Sequence, residues 1–274
     1  MTDKPRGLLP ASTVLLVRDA EAGLEVFMVQ RHHQIDFASG ALVFPGGKVD
    51  ARDADQAIRA TSPGAAGLDD VELAFRVAAV REAFEECGVL LARPRGGQAL
   101  VDAARLETLD SRWRVPLVKN DATMAELVAA EDLDIAVELL VPFAHWITPP
   151  MMPKRFDTKF YVAIAPSDHL ALHDGEESVN SVWITPAEAI ADGRAKRRTV
   201  IFPTLMQLVK LERSTSAAGA PGGRKGRYHP DGYTQTGGHA RRPGPAHPGR
   251  SRLWHYPGPD QGRPLSSLFC RDAP

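Results

Sequence analysis

Residues 71–91 carry a pattern that demands a core on one side and leaves charge on the other. On a helix of about 100° per residue, with Glu82 at zero, Glu86 falls at about 40° and Glu85 at about 300°. Val77, Val80, Phe84, Cys87 and Leu91 fall between about 140° and 220° on the same wheel. One face is therefore built for a core, and the opposite face gathers three carboxylates within roughly 100° of arc. Like charges at i, i+4 destabilise a helix by a few tenths of a kcal/mol. The cluster reads either as a solvated acidic face or as a seat for a hard dication, which takes oxygen ligands. Cys87 lies on the apolar side and reads as core.

The segments before this helix read as strands. Residues 11–18 are apolar and β-prone, residues 24–30 alternate apolar and polar, and Asp19–Gly23 between them predicts a hairpin turn. A short strand, Ala41–Phe44, runs into Pro45-Gly46-Gly47, where two glycines allow backbone paths barred to other residues. Residues 54–72 read as an inserted excursion, 92–101 as a Pro/Gly loop, and 102–134 as helical and charged. Strands are expected over 138–147, 158–165 and 179–184. Thr185-Pro186-Ala187-Glu188 has the chemistry of a helix start, with Thr as cap, Pro first and Glu three after the cap. A last helix is expected over about 202–213.

Composition then divides the chain of 274 residues in two. The 33 Lys+Arg and 34 Asp+Glu split into 23 and 31 before Arg213 and 10 and 3 from there on, a net of −8 against +7. An acidic body argues against nucleic acid as the main partner and suits a protein that holds divalent cations. Residues 213–274 hold 11 Gly, 9 Pro and 9 Arg with little periodicity, so they read as a disordered tail that cannot bury enough apolar surface to order itself. That tail is either a flexible basic extension or text of the kind GC-rich DNA gives out of frame. No run approaches 18 apolar residues, so neither a membrane span nor a secretory signal is expected. Two cysteines, Cys87 and Cys270, are too few for a disulfide framework, which points to a reducing cytoplasm.

Gly47, Asp53 and the run Arg81-Glu82-Ala83-Phe84-Glu85-Glu86-Cys87-Gly88-Val89 together resemble the nudix signature. The family has Gly, five residues, Glu, seven residues, then Arg-Glu, an apolar residue, any residue, Glu-Glu, any residue, Gly and an apolar residue. All nine positions from Arg81 to Val89 match. Asp53 stands where the family has Glu, and 27 residues rather than seven separate it from Arg81. An interrupted box of this kind, with His145–Pro149 and Arg155–Tyr161, resembles the branch that contains peroxisomal coenzyme A diphosphatase. The likeness covers roughly residues 8–212, taken as one domain with the insertion at about 54–72 inside the box.

The resemblance implies an α+β fold, an α/β/α sandwich with a mixed sheet between helices. It implies a hydrolase that cleaves a pyrophosphate linkage with Mg²⁺ or Mn²⁺. The metal would be held by Glu82, Glu85, Glu86 and the carbonyl of Gly46, with Arg81 orienting a glutamate. Glu177, in preference to Glu176, is the candidate general base, although both also read as loop charges. Arg155 and Arg31 are candidate substrate-binding residues, and Arg155 could instead pair with Asp157. His32, His33 and His145 have no partner at metal spacing. The substrate implied is a small nucleotide, foremost coenzyme A or acyl-CoA, giving a phosphopantetheine product and adenosine 3′,5′-bisphosphate. ADP-ribose or NADH is the runner-up, and a catalytically silent nucleotide-sensing module is the reading from another class.

Overall fold

The computed structural model describes residues 7–31, 40–152, 154–169 and 178–220. Strands β1 (Leu9–Ala20) and β2 (Gly23–Arg31) form the expected hairpin, with Val17 opposite Val26 and Ala20 opposite Gly23. β3 (Leu42–Val43) pairs with β2, and β4 (Gly46–Lys48) pairs with the first half of β1. One side of β1 is thus shared, β2 on its later residues and β4 on Ala11–Thr13. Its other side takes β8 (Phe156–Ile164) in parallel, and β7 (Val141–Ile147) closes that flank antiparallel to β8. β9 (Ser178–Ile184) pairs with β2. The result is the mixed sheet that the sequence implies.

β1 is buried on both faces because helices cover both. Val14 and Leu16 join Val77, Val80 and Phe84 of helix α2 (Asp70–Cys87) in one core. Leu15 and Val17 point the other way, to Ile190 of α6 (Pro186–Arg194) and Leu208 and Leu211 of α7 (Phe202–Leu211). The α6 start is capped as its sequence indicates, with Thr185 and Glu188 bonding reciprocally. Among the described residues no helix is long and apolar enough to cross a membrane.

Several readings are refined. Helix α2 ends at Cys87 and not Leu91, because Gly88 takes a left-handed conformation (φ 66°) that ends the helical path. Residues 92–101 are not all loop, since β5 (Ala92–Pro94) pairs with β6 (Leu133–Ile135), which also shortens the helical stretch before it. That stretch is α3 (Ala103–Leu109), a π-helical turn (Asp110–Arg114), α4 (Val115–Val118) and α5 (Met124–Ala130). The insertion is folded, with turns at Ala51–Ala54 and Pro63–Ala65 around α1 (Gln56–Ala60), and it buries Ile58 and Ala65. The packed body also runs past Leu211. Ala217 and Ala220 are 4% and 2% exposed, and the Ala217 amide donates to Asp19 Oδ1 at 2.7 Å.

Candidate active site

The glutamates are placed by where α2 is anchored. At its N-terminal half Glu72 accepts from Arg76 at 2.9 Å, from Lys159 at 2.8 Å and from Tyr161 at 3.1 Å, which ties the helix to β8. Ser12 Oγ of β1 donates to the Phe75 carbonyl at 2.7 Å. With the apolar face held on the sheet, Glu82, Glu85 and Glu86 rise beside β4 at the opposite end of the helix. Glu82 and Glu86 are only 8% and 7% exposed, so they are not solvated surface charges.

The Pro-Gly-Gly turn receives them. The Gly46 amide donates to Glu86 Oε2 at 3.1 Å. Gly47 lies so close that a Cβ built on it would stand 2.4 Å from Glu82 Oε1. Only a residue without a side chain leaves that cradle open.

Arg81 closes the group. Its Nε and Nη2 meet Asp53 Oδ1 and Oδ2, both at 3.0 Å, and its Nη1 lies 2.9 Å from both Glu82 Oε1 and Glu85 Oε2. Nη2 also donates to the Lys48 carbonyl at 2.8 Å. Burial opposes the charge on this guanidinium, yet Glu82, Asp53 and Glu85 outweigh it and raise its pKa above the usual arginine value. Asp53, 2% exposed, holds the Nε and Nη2 side of Arg81. Residues 54–80 fold away and return, so the insertion leaves the two ends of the box in contact. Sequence spacing could not reveal this, although Asp at the position of the family's Glu was a signal.

Asp53, Glu82 and Glu85 share Arg81, and Glu86 adds a fourth carboxylate beside them at the Gly46 amide. Among the described residues no three acidic, His or Cys side chains form a ready cation cage, since Arg81 draws Glu82 and Glu85 to itself. The donor chemistry fits a hard dication all the same. Every candidate ligand is an oxygen, and the glycine cradle brings the backbone against the carboxylates.

The other candidates fall elsewhere. Arg31 ends β2 beside the strand that leads to Gly46, its amide donating to the Ala41 carbonyl at 3.0 Å. Its Nε is buried with no hydrogen-bond partner among the described residues. Arg155 precedes β8 and donates to the Thr148 carbonyl at 3.1 Å, and Asp157 bonds to His145 instead. Cys87 is buried in the core, as its place on the wheel indicates. Glu176, Glu177, His32 and His33 lie outside the described residues. Arg114, which donates to the Glu85 carbonyl at 2.9 Å, has no counterpart in the sequence reading.

A family model, that of the NUDT19 Nudix domain, matches residues 59–211. The chain belongs to the Nudix family. The curated relatives agree with the branch that the interrupted box suggests. Acyl-coenzyme A diphosphatase NUDT19 of Homo sapiens is 30% identical over 227 residues, covering 69% of this chain and 60% of that one. The Xenopus laevis protein of the same name is 24% identical over 225 residues, covering 68% and 59%. The chain thus spans about three fifths of the length of these relatives. The crystal structure of a NUDIX hydrolase from Alicyclobacillus acidocaldarius superposes with a TM-score of 0.63 at 25% identity, covering 77% of this chain and 94% of its own. Nudix proteins generally use divalent metal cations.

Proposed function

We propose that this Nudix chain hydrolyses the pyrophosphate linkage of a nucleoside diphosphate derivative, foremost coenzyme A or acyl-CoA. The products are then a phosphopantetheine compound and adenosine 3′,5′-bisphosphate. The observation that carries the reading is the set of α2 glutamates, Glu82 and Glu86 against Gly46-Gly47 and Glu85 on Arg81, with Arg81 bridging Glu82, Glu85 and Asp53. The substrate class rests on the name of the curated relatives, acyl-coenzyme A diphosphatase.

Glu82, Glu85, Glu86 and the Gly46 carbonyl are the residues that would hold Mg²⁺ or Mn²⁺. When bound, such a cation neutralises the diphosphate and lowers the pKa of an attacking water. Arg81 sets the direction of two glutamates through charge-assisted hydrogen bonds. Glu177 is our candidate for the base that takes the water proton. The water oxygen then forms the new bond to phosphorus as the bridging P–O bond breaks. Arg31 has a buried donor without a partner among the described residues, which suits a substrate phosphate oxygen. Arg155, on the β7–β8 turn, is the weaker candidate because Thr148 already accepts from it. We place the activity in a reducing cytoplasm on cysteine usage, which localisation of the tagged protein would check.

A panel of diphosphates with Mg²⁺ and with Mn²⁺, products resolved by mass, tests the proposal. Coenzyme A or acyl-CoA should be cleaved, and Glu85→Gln should lose most turnover while keeping its fold. Folded protein that cleaves no diphosphate overturns the reading.

A further inference from the structure

Arg114 closes the π-helical turn Asp110–Arg114 between α3 and α4. A π turn inserts an extra residue and re-aims the side chains that follow, often near functional sites. Here it directs Arg114 to the last turn of α2. Nε donates to the Glu85 backbone carbonyl at 2.9 Å, and Nη1 reaches Asp110 Oδ1 at 3.4 Å.

That carbonyl is one the helix does not satisfy for itself. The chain turns back at Gly88, whose amide bonds to Phe84 O at 2.9 Å, and the Val89 amide then goes to Ala83 O at 3.2 Å. In a continuing helix the Val89 amide would have served Glu85. Arg114 takes its place. The fit is close, because a Cβ on Gly88 would stand 3.2 Å from Arg114 Nη1. A cation at a helix C-terminus is also favoured by the helix dipole.

The segment from α3 to α5 meets the box at a second point. The Arg52 guanidinium meets the Asn120 side chain and, at 3.3 Å, the Asn120 carbonyl. Arg52 adjoins Asp53, which holds Arg81. The α3–α5 segment therefore meets both ends of the box, at the Glu85 backbone carbonyl through Arg114 and at Arg52 through Asn120.

We propose that Arg114 is a positioning residue: by fixing the Glu85 carbonyl it sets the angle at which Glu85 and Glu86 present their carboxylates. The inference rests on the reading of α2 as the metal-bearing helix.

The test titrates substrate-free protein with Mn²⁺, following the free-ion signal by electron paramagnetic resonance, beside kcat, KM and urea unfolding. Arg114→Ala should weaken Mn²⁺ binding and lower kcat by about tenfold each, with KM for the diphosphate nearly unchanged. Arg114→Lys, which keeps a charged donor but not the fork, should recover part of both. Arg105→Ala is the control, since Arg105 supports the α3–α5 segment through Glu131, 2.5 Å away, and has no hydrogen bond to α2 among the described residues. It should lower stability and leave Mn²⁺ affinity alone. Unchanged Mn²⁺ affinity in folded Arg114→Ala overturns the inference, as does an equal loss in Arg105→Ala. If Arg114→Ala does not fold, Arg114→Gln carries the test, and wild-type Mn²⁺ affinity there overturns it equally. The titration uses no substrate, so failure of the hydrolase reading is seen separately, as absence of diphosphate cleavage by the wild-type chain.

Discussion

Asp53 and Arg81 meet in a two-point ion pair, Oδ1 to Nε and Oδ2 to Nη2, both at 3.0 Å. Asp53 is 2% exposed, so neither water nor salt screens the pair well. Removing one partner of a buried pair costs roughly 3–5 kcal/mol. Arg81 keeps Glu82 and Glu85, so Asp53→Ala should fall at about 3 kcal/mol in urea unfolding. The freed guanidinium no longer holds a fixed angle to the glutamates, and kcat should drop by about tenfold. An Asp53→Ala protein of wild-type kcat would mean that Arg81 is set by the glutamates alone.

The two glycines of the cradle should fail in different ways. On Gly46 a Cβ would meet backbone, Ser12 O at 2.4 Å and Thr13 Cα at 2.7 Å. Backbone in the middle of the sheet cannot step aside, so Gly46→Ala should cost about 2 kcal/mol or more. On Gly47 the Cβ would meet the Glu82 carboxylate at 2.4 Å, the far end of a side chain that can swing away. Gly47→Ala should therefore melt close to wild type while kcat falls by up to about a hundredfold, as a misplaced group of about 1 Å can cause. The opposite pattern, stable Gly46→Ala and unfolded Gly47→Ala, would sink this account of the cradle.

What the sequence makes legible here is what repeats at short range. Val14, Leu16, Val77, Val80 and Phe84 announce their faces through strand and helix periods, and the three glutamates fall on one side by the same arithmetic. Asp53 is different, because its partner lies 28 positions on and only the return of the insertion brings them together. β5 and β6 are three residues each and pair across about 40 positions, too short to show a period of their own. Arg114 leaves no trace in a helical pattern because a π turn has no marker residue. The Gly, Pro and Arg of residues 213–274 read as tail throughout, yet the alanines at its start are small enough to bury wherever a core has a gap at its rim.

Acid should reveal the Asp50–Arg52 contact. The hydrogen bond from the Arg52 side chain, and next the Arg52 backbone amide, lower the Asp50 carboxyl from 3.8 to about 2. A folded pKa below the unfolded one means stabilisation that is complete above the unfolded value and lost as pH falls toward 2. Asp50 also caps the turn that carries Asp53, and Asn keeps that cap, so Asp50→Asn removes the charge alone. The stability gap between wild type and Asp50→Asn should hold steady above about pH 5 and close between about pH 4 and 2. Its size should be small, because the Asp50 side chain is 40% exposed and solvent screens it. A gap that stays constant down to pH 2 would show that the variant acts through shape.

Ending the chain after Arg213 should be less benign than its composition suggests. It removes Ala217 and Ala220, which sit in the α6–α7 core, and the amide that binds Asp19 Oδ1. Two buried methyl groups and one hydrogen bond amount to about 2 kcal/mol. For a body of this size that is a melting temperature lower by roughly 4–8 °C. A chain ending after Ala220 keeps all three features and should melt with the full-length protein. Differential scanning calorimetry of the three chains decides the matter. Equal melting of the 213- and 220-residue chains would make the segment passive packing. A collapse of the 220-residue chain would place part of the core's support beyond Ala220.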